Sequence, residues 1–92
     1  MKPYLMIFNS IALPRQTLLN YLDTRPEVLN WYAFLDTGVF IISTHTAYQL
    51  SELIRQHFPG VYFVVTEVPS GSNDGWLPKA AWDFINNPRR PG

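Results

Sequence analysis

Apolar residues fall into seven blocks along the chain, and their spacing changes from block to block. Tyr4-Leu5-Met6-Ile7-Phe8 is continuous, too short for a helix and closed by Asn9-Ser10, which predicts a central strand buried on both faces. Pro14 suits a first helical turn, and Leu18, Leu19, Tyr21 and Leu22 follow at helical spacing. That helix ends before Thr24-Arg25-Pro26, because the residue before a proline avoids the α region. Asn30 to Leu35 and Val39 to Thr44 read as two strands around Asp36-Thr37-Gly38, a hairpin in which the glycine supplies a left-handed conformation.

A second helix is announced by Thr46 with Gln49 three residues on, a capping-box spacing. Ala47, Leu50, Leu53, Ile54 and Phe58 form its apolar stripe, and Pro59-Gly60 stops it. Val61 to Val68 is rich in β-branched and aromatic residues and predicts a fourth strand. The polar stretch from Pro69 to Gly75 predicts a mobile loop. Trp76-Leu77-Pro78 then leads into a short helix carrying Trp82 and Ile85. The order β-α-β-β-α-β, with right-handed crossovers, gives an α+β, ferredoxin-like fold. It has an antiparallel four-stranded sheet, two helices on one face and a short C-terminal helix. Residues 1–87 form one domain and 88–92 a flexible tail. The added helix can cover a sheet edge or reach a second protomer.

Composition narrows the function classes. Seven basic residues balance seven acidic ones, so broad binding to a phosphate backbone lacks its electrostatic source. No cysteine is present, which removes disulfides and thiolate zinc sites and fits a reducing, cytoplasmic setting. No targeting segment and no span of membrane length is seen. Hydrophobic residues make up 47% of the chain and charged ones 15%, more apolar surface than a core this small hides easily. An apolar interface, most simply with a second copy, is therefore expected.

The candidate chemistry is thin. Asn9 and Ser10 end the first strand, where loops carry chemistry. A neutral asparagine is a poor lone ligand for Mg²⁺, and a strand-ending turn explains both residues. His45 and His57 flank the second helix, about 18 Å apart along its axis, so they cannot share a metal within one chain. A Ser43–His45 pair lacks a carboxylate nearby in sequence. The acidic residues are scattered and form no close pair for acid–base or two-metal work. Phe8, Tyr32 and Phe40 on an open sheet face would make a stacking platform for single-stranded RNA, but the basic and paired aromatic residues of that signature are missing. No metal and no cofactor is expected.

The segment from Trp31 to Ile42, Trp-Tyr-Ala-Phe-Leu-Asp-Thr-Gly-Val-Phe-Ile-Ile, resembles the hairpin of small SinR-family proteins. These are relatives of the CRISPR-associated endoribonuclease-like spacer-acquisition subunit. Gly75 to Asn86 resembles the end of some members. The resemblance implies a ferredoxin-like fold and a homodimer. It also implies a Tyr-Asp pair closing the first strand, whose aspartate binds metal in the dimer cleft. Phe8-Asn9 stands there instead, so the resemblance supports the fold and weakens a nuclease.

The leading expectation is a non-enzymatic, dimeric interaction protein, an accessory or inhibitor from a phage, mobile element or defence system. Trp31, Tyr32, Phe34, Trp76 and Trp82 are its expected interface residues, and a protein partner other than itself is a further expectation. The alternatives are a metal-dependent nuclease using Asn9 with Ser10 or His45, and a single-strand RNA-binding module, so nucleic-acid binding stays open.

Overall fold

The computed structural model describes residues 1–91. Its elements run β1 (Lys2–Phe8), α1 (Arg15–Asp23), β2 (Asn30–Leu35), β3 (Gly38–Ser43), α2 (Ala47–His57), β4 (Phe63–Glu67) and α3 (Lys79–Asn86). The strands form one antiparallel sheet in the order β2-β3-β1-β4, the ferredoxin-like arrangement expected of this element order. No helix among the described residues is long and apolar enough to cross a membrane.

The two faces of the sheet carry separate cores. On the first, Tyr4, Met6 and Phe8 of β1 and Val39 and Ile41 of β3 pack with Leu18, Leu19 and Leu22 of α1 and Leu50 and Ile54 of α2. On the second, Phe40 and Ile42 of β3 pack beneath Phe84 and Ile85 of α3, with Leu5, Tyr32 and Trp82 alongside. Alternation along a strand sends neighbouring side chains to opposite faces, so β3 supplies both cores. All six of its residues are buried.

That distribution changes two expectations. The strand buried on both faces is β3; β1 is central but leaves Ile7 about half exposed on the second face. And α3 packs on a face of the sheet and not along an edge. It lies across the sheet face that α1 and α2 leave open, because Phe40 and Ile42 require a cover there.

The helix ends follow local chemistry. Thr46 accepts the Gln49 amide while the Gln49 side chain accepts the Thr46 amide, completing the capping box of α2. Pro14 and Pro78 stand at the N-caps of α1 and α3, one position before the predicted first turn, with no side-chain cap. β4 is shorter than the apolar run suggested.

The hairpin closes with Leu35 opposite Gly38, leaving Asp36-Thr37 as the turn. Gly38 has no positive φ; only Gly60 and Gly71 do among the described residues. Gly38 is a matter of space, since a Cβ there would lie 3.3 Å from the Leu35 side chain. Before the turn the register of β2 shifts between Tyr32 and Leu35, so Ala33 and Phe34 together face Val39. The C-terminal segment is tied back: Arg89 pairs with Asp83 at 2.7 Å, and its carbonyl accepts the Asn30 side-chain amide. Gly92, the end of the expected flexible tail, lies outside the described residues.

Ile42 is fully buried between β3 and α3. Ile42→Ala should lower the unfolding free energy by about 2–5 kcal/mol in urea denaturation. Thr46→Ala, which removes half of a cap, should cost about 1 kcal/mol.

Candidate functional site

The sequence candidates separate in space. Asn9 follows β1 at the end of the sheet where Phe8 faces Phe63. His45 follows β3 at the opposite end, where Lys2 faces Ser43. The length of β1 stands between them, roughly 24 Å at 3.4 Å per residue. Asn9 and His45 therefore cannot act on one metal or one phosphate within a chain.

Each of these residues also has local work. The Asn9 side-chain oxygen accepts the Ile11 amide at 3.0 Å and the Ala12 amide at 3.5 Å, and its carbonyl accepts the Leu13 amide. This is an Asx turn that steers the chain from β1 into α1. Ser10 sits half-exposed in that turn. Ser43 is fully buried; its hydroxyl donates to the Glu27 carbonyl at 2.7 Å and accepts the His45 backbone amide at 3.0 Å. It meets the backbone of His45 and is closed to substrate, so the pair is no nucleophile and base. The His45 carbonyl accepts the Tyr4 hydroxyl at 2.6 Å, while its buried Nδ1 has no hydrogen-bond partner. Burial pushes the Tyr4 hydroxyl up, which keeps it protonated as the donor. His57 stacks on Tyr21, ring centres 4.1 Å apart, at the end of α2.

No group of three or more His, Asp or Glu residues that could hold a metal ion occurs among the described residues. Arg25 donates two hydrogen bonds of 3.0 Å to Glu27, and these hold the Glu27 carboxyl below the usual carboxylate range. Arg89 does the same for the exposed Asp83. Both pairs brace loops.

The aromatic candidates divide between the faces. Phe8 is buried under α1 and α2, whereas Phe40 and Tyr32 lie beneath α3, Tyr32 with its ring 5.6 Å from that of Phe84. They form no common stacking platform. Trp31 packs on the first face and donates its indole N–H to Asp23 at 2.7 Å. Trp76 is 98% exposed, Phe34 is half exposed at the bulge, and Trp82 lies on the second face.

One feature of the second face was not read from the sequence. Pairing across the sheet aligns Val64, Ile7, Gly38 and Leu35 in one row over all four strands. The neighbouring row, Thr66, Leu5, Phe40 and Tyr32, reaches under α3, but the first row is bare. Val64, Ile7 and Leu35 are 53%, 46% and 38% exposed. Beside the row runs an apolar groove lined by Leu5, Leu35, Phe40, Trp82 and Ile85, with Trp76 on its rim. Period-two alternation could have flagged Ile7 and Val64 as same-face residues. Only knowledge of where α3 stops shows that nothing covers them.

Asn9→Ala should cost about 1 kcal/mol in stability, while Asn9→Asp, which keeps the accepting oxygen, should stay near wild type in urea denaturation. The depressed Glu27 carboxyl contributes stability that is present above its unfolded pKa and is lost as pH falls through its folded one. Glu27→Gln should therefore reduce the loss of stability seen on acidification through the carboxylate range, measured by denaturation at successive pH values. No family model, curated protein or solved structure matches this chain.

Proposed function

We propose that the protein is a non-enzymatic interaction module that pairs with a second copy of itself. The bare row of Val64, Ile7 and Leu35 beyond the reach of α3 carries this reading. Isolated exposed apolar residues are ordinary, whereas a contiguous row beside an apolar groove marks a surface that is covered in use. The groove and Trp76 are the matching surface for a further protein partner, since an exposed indole is a strong anchor once desolvated. The likeness of the hairpin to SinR-family proteins suggests the setting: an accessory or inhibitor belonging to a phage, mobile element or defence system.

Sedimentation equilibrium over a range of concentrations tests the self-association. A dimer is expected, and Val64→Lys, which puts a charge into the bare row on its outer strand, should weaken it at least about tenfold, or about 1.4 kcal/mol. A wild-type chain that stays monomeric at every concentration would overturn the proposal.

A further inference from the structure

The sheet has two edges, and they are not equivalent. β2 is blunted in three ways: by its bulge, by the Arg15 guanidinium donating to the Ala33 carbonyl, and by the Asn30 side-chain oxygen accepting the outward Trp31 amide at 2.9 Å. These are devices that stop an edge from templating another strand. β4 carries none of them. The run Tyr62-Phe63-Val64-Val65-Thr66 has no Lys, Arg, Pro or Gly, and its pairing with β1 is regular from end to end.

The outward hydrogen-bonding groups of β4 can be identified. The Asn9 amide donates to the Tyr62 carbonyl and the Val68 amide to the Pro3 carbonyl, so the even-numbered residues of β4 point their amides and carbonyls at β1. By alternation Phe63 and Val65 point theirs outward, and they find no partner among the described residues. Their side chains pack on the first face, while Val64 projects onto the second.

We infer that two copies join antiparallel through β4, with Val64 on the two-fold axis, to make one eight-stranded sheet. The geometry rests on the self-association proposed above. In this register Phe63 and Val65 exchange about four backbone hydrogen bonds with the partner's Val65 and the partner's Phe63. Tyr62 falls opposite the partner's Thr66, and no charged residue faces a like charge. An aromatic beside a β-branched residue is a favourable cross-strand pair. Shifting the axis to Val65 would set Phe63 against the partner's Glu67 and give up that match. With Val64 on the axis, the bare row continues unbroken from Leu35 of one copy to Leu35 of the partner subunit.

The absence of cysteine makes the test specific, since one introduced thiol is the only one in the chain. Val64 and the partner's Val64 form a non-hydrogen-bonded pair, with Cα atoms about 4.5 Å apart, inside the range a disulfide spans. Val64→Cys, oxidised by dioxygen with a copper catalyst, should run as a cross-linked dimer, while Trp76→Cys should not. Val65→Pro removes an outward amide that β1 does not use and should give a monomer. Val64→Lys, at an exposed position, should do the same with its circular dichroism unchanged. A dimer that survives both substitutions, or that fails to cross-link through Cys at 64, overturns the edge pairing and leaves self-association standing. A wild-type monomer overturns both.

Discussion

β3 is a strand with no solvent side, and the remaining architecture answers that constraint. A residue buried on each face at successive positions requires a covering layer above and another below. α1 and α2 provide the first through the leucines and isoleucines of their inward stripes. α3 provides the second with Phe84, Ile85 and Trp82. An eight-residue helix is marginal by itself in water, so α3 is held by what it buries on the sheet. Each large apolar side chain it buries contributes about 1.5–3 kcal/mol. The helix and the strand beneath it stabilise each other.

The same arrangement explains where the apolar surplus emerges. Eight residues of α3 span about 12 Å, enough to roof the rows of Phe40 and Ile42 but not the row of Ile7. The uncovered part of the sheet lies at the end where β1 finishes, away from the base of the helix. Tyr62 and Ile11, both largely exposed, belong to the same end. Part of the exposed apolar surface is thus gathered at this end, while Met1 and Tyr48 lie at the other.

Much of this fold is legible in the residues. Glycine, proline and Asx punctuation separates the strands, and the Thr46–Gln49 box marks α2 to the residue. At Gly38 a turn motif predicts a left-handed glycine, while the hairpin, with its bulge in β2, closes without a positive φ there. The position of α3 was not legible, because an amphipathic stripe says that a helix needs a surface without saying which. The candidate site fared worse. Asn9 and His45 are close enough in type to suggest chemistry, but antiparallel pairing of β1 with β3 sends them to opposite ends of the sheet. Aromatic content marks the interface candidates in the sequence, and it does not distinguish Trp31, tied to Asp23, from Trp76, which stands in solvent. Exposure depends on coverage by distant elements, and that is a property of topology.

The blunted β2 edge has a consequence for valence. A sheet open at both edges can add copies without limit and grow into a fibre. With Arg15 and the bulge closing one side, each chain keeps a single place where another strand can join, and joining there consumes it in both copies. The β4 pairing proposed above would then terminate at two. Such a limit would keep a short chain that is nearly half hydrophobic and has no net charge from polymerising along its sheet.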